Sequence, residues 1–208
     1  PAILKFFLNS CMYVVCILFG QAIVVPSLAY ALAKIKFKGR ELLFFLIIVL
    51  MVLPFQVTMS PNILTLEKLG LLKTIWAIIL PAIFSPFYIF LLRQYMLSVP
   101  NELIEAAALD GKGALGTYTQ VVLPVCKPII GAAISLSFAD IWNMAEQPIA
   151  FLYDKQDLMP MSVMFNTLGD RNADIAFAGA VLYILPALFV FFFFQEDITA
   201  GLQLSELK

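Results

Sequence analysis

Between Ser137 and Gln147 polar residues recur at intervals of three and four: Ser137, Asp140, Asn143 or Met144, and Gln147. On a helix that spacing lines them along one face. A hydroxyl, a carboxylate and two amides in a row could line a hydrated path for a polar solute. The same row also suits a helix packed against a second membrane subunit, with Asp140 and Gln147 hydrogen-bonded across the interface. Both readings address the same fact. Asp140 and Glu146 sit in an otherwise apolar run, where an ionisable group is costly unless it faces a cavity or a partner.

A second set has a different chemistry. Glu105-Ala106-Ala107, then three residues, Gly111, nine residues, and Val121-Val122-Leu123-Pro124 form a polar insertion between long apolar runs. Pro100 and Asn101 mark a helix start, Glu102 and Glu105 fall in its first turns, and Asp110-Gly111 ends it. Gly113 permits a second turn, a helix-compatible run follows from Ala114 to Val122, and Pro124 and Pro128 close it. The insert of residues 98–127 therefore reads as helix-turn-helix, each arm about 15 Å long. Ala106, Ala107 and Ala108 allow close backbone approach. Such a knob can fill a partner's cleft, or it can lie on a membrane surface as an amphipathic loop. Against the second reading, only Lys112 and Lys127 offset Glu102, Glu105 and Asp110 there.

Several chemistries are excluded. The chain has no histidine, which removes the commonest general base and metal ligand, and its carboxylates show no ligand spacing with its cysteines. No catalytic or metal-binding residue is expected. Gly111-Lys112 is followed by Gly113 where a phosphate-binding loop needs Ser or Thr, and Ala106 stands where that motif has its first glycine. The chain cannot itself be an ATPase. Cys11, Cys16 and Cys126 are an odd number without paired spacing, so no disulfide framework is expected. No nucleic-acid partner is expected either.

The elements that must position these residues cross a membrane. Of 208 residues, 62% are hydrophobic and 13% charged, and the mean hydropathy is +0.95. A span needs about 20 apolar residues. Five stretches qualify: Phe6 to Ala33, Leu42 to Pro61, Ile75 to Met96, Pro128 to Phe151 and Ala176 to Phe194. The expected fold is all-α, a polytopic helical membrane protein forming one domain over residues 1–208. Lys34, Lys36, Lys38 and Arg40 follow the first span, and Arg93, Lys112 and Lys127 flank or occupy the insert. The cations put both segments in the cytoplasm, and the alternation of the spans then puts the acidic tail Glu196 to Lys208 there as well. Residues 154–174 and the segment around Glu67 then lie outside, as does the amino terminus. Pro26, Pro54, Pro81, Pro86, Pro148 and Pro186 fall in or beside spans and are expected to bend them.

The spacing of the insert resembles the EAA loop of permease subunits of binding-protein-dependent ABC transporters. The resemblance extends over nearly the whole chain to the maltose-type carbohydrate branch. It is carried by Asn9-Ser10, Ala29-Tyr30-Ala31-Leu32-Ala33, Phe37-Lys38-Gly39-Arg40, Leu53-Pro54 and Leu69-Gly70-Leu71. Further matches are Phe90-Leu91-Leu92-Arg93-Gln94, Val99-Pro100-Asn101-Glu102-Leu103, Asp110-Gly111, Trp142-Asn143 and Gly201-Leu202. Asp140, Met144, Glu146 and Gln147 depart from the family's commonest residues, as do Glu196, Asp197 and Thr199 in the tail.

The resemblance implies the type I ABC importer permease fold, with the chain matching from the family's second helix onward and the first helix missing. It implies a multi-pass subunit of a prokaryotic cell membrane, in contact with lipid, that carries a sugar or related solute inward. Its partners would be an ABC ATPase dimer holding the ATP and Mg, a second permease subunit in a heterodimer, and an extracytoplasmic solute-binding protein. Glu105 would contact the ATPase cleft, Ala106 and Ala107 allow close seating, Asp110 and Gly111 shape the turn, and Leu123-Pro124 fix the loop to the next span. Ser137, Asp140, Asn143 and Gln147 would line the substrate path. Two rivals remain: a proton-coupled carrier with Asp140 and Glu146 as relays, and a membrane scaffold or sensor subunit that transports nothing.

Overall fold

A computed structural model describes the backbone of residues 2–167 and 173–206 and the side chains of residues 3–164 and 177–196. All regular elements among the described residues are helical, the arrangement that lets a segment in lipid satisfy its own backbone polar groups. In chain order they are α1 (Ala2–Lys34), α2 (Arg40–Val52), α3 (Phe55–Lys68), α4 (Trp76–Ile83), α5 (Pro86–Ser98), α6 (Asn101–Leu109) and α7 (Ala114–Thr117). A π turn (Tyr118–Val122) leads into α8 (Leu123–Val125), then α9 (Lys127–Trp142) and α10 (Glu146–Phe151). A 3-10 turn (Gln156–Leu158), α11 (Met161–Thr167) and α12 (Ala173–Glu206) complete the chain.

Three segments are long and apolar enough to cross a membrane: Ile3–Lys34, Trp76–Ser98 and Phe177–Glu196. The number reaches five if each of two bent pairs is one span: α2 with α3, bent by 109°, and Ala114–Val125 with α9, bent by 76°. The expected span Leu42 to Pro61 is therefore broken at Leu53 and Pro54. Pro54 has no N–H to continue the ladder of α2, and it caps α3 in an extended conformation, φ −66° and ψ 147°. The stretch Ile75 to Met96 breaks in the same way at Phe84 and Ser85, both extended, with Pro86 opening α5. Pro26, Pro81 and Pro186 lie inside continuous helices.

The described chain divides into two compact units. The first comprises residues 1–20, 53–84 and 136–193. Its core joins Tyr13, Val14 and Ile17 of α1 with Ala77, Ile78 and Ile79 of α4, Phe138, Ile141 and Trp142 of α9, Phe151 of α10 and Leu152 after it. Gly20 lets α1 approach α4 closely, since a Cβ there would lie 2.5 Å from Ile83 Cδ1 and 2.6 Å from its Cγ1. Asn9 Nδ2 donates to the carbonyls of Asp157 and Met159, both at 2.9 Å, and Tyr13 Oη to that of Leu158 at 2.9 Å. The Met161 N–H donates to Ser10 Oγ at 2.8 Å. The words Asn9-Ser10 thus tie the segment before α11 to α1.

The second unit comprises residues 21–52, 85–135 and 194–208. The buried residues of α5, Tyr88, Ile89, Leu92, Arg93 and Met96, recur on one helical face. They pack with Val25, Ala29, Tyr30, Leu32 and Ala33 of α1 and with Phe44 and Ile47 of α2. Arg93 is the charged member of this core, 6% exposed. Its Nε donates to the Leu32 carbonyl at 3.1 Å, its Nη2 lies 3.2 Å from Glu41 Oε2, and its guanidinium stacks on Phe44 at 3.6 Å. Each of these contacts compensates part of the cost of removing the cation from water.

Candidate functional site

The insert of the second unit has two arms, as its spacing predicts. Pro100 caps α6 with ψ 136°, Glu102 stands in the first turn where the helix dipole favours an acid, and α6 ends at Leu109. Gly111 follows with φ +78°, donating its N–H to the Ala108 carbonyl at 3.0 Å while the Lys112 N–H reaches the Ala107 carbonyl at 2.9 Å. These two bonds are a Schellman cap, and the left-handed position is the one that glycine takes without steric cost. Gly113 does not have the role expected of it. Its φ of −74° and ψ of 177° are open to any residue, and a Cβ there would meet nothing within 4 Å.

The second arm runs from α7 through the π turn and α8 without a stop, so Pro124 does not close it. The arm ends at Cys126, where the chain bends into α9. Pro124 cannot donate to the Gln120 carbonyl, and the wider turn over Tyr118–Val122 absorbs the mismatch. Val122 and Cys126 are fully buried and root this arm in the core of the second unit.

The predicted coupling residues fall on two faces. Glu105, Ala106, Asp110, Gly111 and Pro124 are exposed, and Leu123 is half-buried. The Glu105 side chain makes no hydrogen bond or ion pair among the described residues. Ala107 is buried, 3% exposed, so its small side chain serves packing and cannot seat a partner; α6 lies against α7 and the π turn. Two residues that the sequence reading passed over stand out. Leu109 is 90% exposed and Leu115 74% exposed, one at the end of the first arm and the other at the start of the second. The available signal was an isolated leucine beside Asp110-Gly111 in an otherwise polar turn.

The second predicted set does not form one helical face. In the first unit α9 stops at Trp142, so Ser137 and Asp140 are on α9, Asn143 is in the turn after it, and Gln147 is on α10. Ser137 is 3% exposed and lies on the buried side with Phe138 and Ile141, while Asp140 and Asn143 are exposed and Gln147 is half-buried. The break has a local cause and a long-range one. Pro148 has no N–H for the Met144 carbonyl, which accepts from Ser162 Oγ at 2.6 Å instead. Tyr183 Oη lies 2.8 Å from the Trp142 carbonyl and 2.9 Å from Asn143 Oδ1, and Trp142 Nε1 donates to the Tyr183 carbonyl at 3.0 Å.

Two broken helices bring a further polar pair together. Gln56, two residues after Pro54, donates through Nε2 to Glu146 Oε1 at 3.2 Å, at the start of α10. Gln56 was missed because it lay inside a stretch read as one span. Counted from Pro54, it is in the first turn of a new helix. Gln56 and Glu146 thus meet at the starts of two helices that follow breaks, the type of place where membrane transporters put polar groups.

Apolar spans, interrupted helices with polar ends and a capped two-arm insert make up a polytopic helical membrane protein. The chain belongs to the family described as binding-protein-dependent transport system inner membrane component, whose family model matches residues 22–201. It is similar to the arabinooligosaccharides transport system permease protein AraQ of Halalkalibacterium halodurans, with 36% identity over 182 residues covering 86% of this chain and 65% of the relative. It is also 34% identical over 185 residues to the osmoprotective compounds uptake permease protein GgtD of Synechocystis, covering 86% of this chain and 62% of that one. The chain thus spans a little under two thirds of the length of these relatives. Among solved structures, a bacterial ABC transporter involved in the import of the acidic polysaccharide alginate superposes with a TM-score of 0.74 and 26% identity, covering 100% of this chain and 76% of that one. The protein is an integral membrane component.

Proposed function

We propose that this chain is the permease half of an ATP-driven importer for a sugar or a related polar solute, of the maltose-type branch, working with a partner ATPase dimer, a second permease and an extracytoplasmic binding protein. ATP and Mg would be held by the ATPase. The insert would face the cytoplasm and receive the work of hydrolysis. The observation that carries this reading is the exposed tip of the insert: Glu105 without a partner among the described residues, Leu109 90% exposed, and Gly111 at φ +78° between them and the second arm. A tip with exposed carboxylates, Glu105 and Asp110, and an exposed leucine has the chemistry of a docking face. The polar ends of α9, α10 and α3 would meet the solute, in line with relatives that are named for the transport of arabinooligosaccharides and of osmoprotective compounds.

The test is reconstitution of the intact transporter with Leu109→Asp, Glu105→Ala and wild-type chains. Leu109 is nearly free of contacts, so its substitution leaves the fold unchanged. Loss of ATPase association with Leu109→Asp, and loss of binding-protein-stimulated hydrolysis with Glu105→Ala, are the expected results. Wild-type association and stimulation in both would refute the reading.

A further inference from the structure

We propose that one face of α1 is the strut that holds both arms of the insert, and that Lys34 and Tyr30 are positioning residues for coupling. Ser27, Tyr30 and Lys34 are spaced by three and four, which puts them on one side of the helix. Lys34 Nζ donates to the Val99 carbonyl at 2.7 Å and to Asn101 Oδ1 at 3.0 Å. It therefore holds the root of the first arm, at the junction of α5 and α6. Tyr30 Oη donates to the Ala114 carbonyl at 3.3 Å, at the start of the second arm. The Tyr30 ring lies against that of Tyr118, centroids 5.0 Å apart, and is 7% exposed. Ser27 gives its own proton to the Ile23 carbonyl at 2.6 Å, so in its 3.3 Å contact with Tyr118 the Tyr118 hydroxyl is the donor.

One helix thus grips the insert at residues 99–101 and again at 114–118, on either side of the tip. With both roots fixed to the same face, force applied at the tip moves α1; with either root loose, the arm would flex and absorb it. The charge-assisted bonds of Lys34 are the stronger grip. α1 continues as a single helix from Ala2 to Lys34, which makes it a suitable receiver. None of the three residues is exposed at the tip, so their role differs from that of Glu105 or Leu109.

The inference rests on the reading of the insert as the coupling element. Its test uses the whole reconstituted complex and the ratio of binding-protein-stimulated to basal hydrolysis of Mg-ATP. Lys34→Met and Tyr30→Phe each leave the ATPase bound and basal hydrolysis unchanged, and each lowers the ratio about fivefold, the scale of one net hydrogen bond. Lys34→Arg restores most of it, because it retains the cation and donors. A wild-type ratio in the Lys34→Met, Tyr30→Phe double variant, with Glu105→Ala inactive, would overturn the strut and leave the coupling role of the insert standing. A wild-type ratio in Glu105→Ala as well would remove the underlying reading. Tyr30→Phe keeps the ring and removes only the hydroxyl, so it decides the matter should Lys34→Met fail to assemble.

Discussion

Lys73 is the one residue other than glycine with positive φ among those described, at 66°. That conformation costs about 1–3 kcal/mol unless its surroundings hold it. They do so three times over: its N–H donates to the Phe151 carbonyl at 3.1 Å, its ammonium to Asp154 Oδ2 at 2.7 Å, and it lies 4.4 Å over the Tyr153 ring. The hydrogen bond from Lys73 holds the Asp154 carboxyl below its usual range, and the bonds to Asp154 and Tyr153 hold the Lys73 ammonium above its own. The signs then fix the pH window. The contribution of Asp154 is complete above the ordinary carboxylate pKa and disappears as pH falls through the lowered value. That of Lys73 is complete below the ordinary lysine pKa and disappears as pH rises through the raised one. Asp154→Asn should therefore lower the melting temperature by a constant amount between about pH 5 and pH 9, with the difference shrinking in stronger acid. Thermal unfolding in nanodiscs at a series of pH values checks this; a difference that varied across the neutral range would count against it.

At the level of elements, the contact between α1 and α4 has little room. Gly20→Val would drive a branched side chain into Ile83, whose Cγ1 and Cδ1 already stand within 2.6 Å of an added Cβ. A loss of about 1–3 kcal/mol is expected from such overpacking, measurable as a lower thermal midpoint, and Ile83→Ala in the same chain should recover part of it. The spans and the insert were readable because they rest on local rules: apolar length, the Asp110-Gly111 stop, proline at helix starts. The end of α9 was not, although part of its signal was present. Pro148 is four residues after Met144, and counting back from the missing N–H marks the carbonyl that no helix could satisfy. The other part is long-range, since Tyr183 and Ser162 take the carbonyls of Trp142 and Met144 from forty-one and eighteen residues away. Spacing within ten residues cannot register such competitors, so Ser137 and Gln147 were assigned to one face. The burial of Ala107 was hidden for a similar reason, because an alanine triplet carries no sign of which methyl points inward.

For the molecule as a whole, the charge pattern predicts a topology that labelling can test. In chains whose only cysteine is placed by Leu109→Cys or Asp157→Cys, an impermeant thiol reagent should modify position 157 in right-side-out vesicles and position 109 only in inverted ones. Reversal of that pattern would place the insert outside and remove the ATPase from its reach. The exposure of Leu109 also bears on how a cell keeps its subunits in proportion. A copy made without partners shows this leucine and Leu115 to water, and unassembled chains with exposed apolar groups are what chaperones and proteases remove. The surface proposed to seat the ATPase would then also limit the lifetime of every copy that fails to find one.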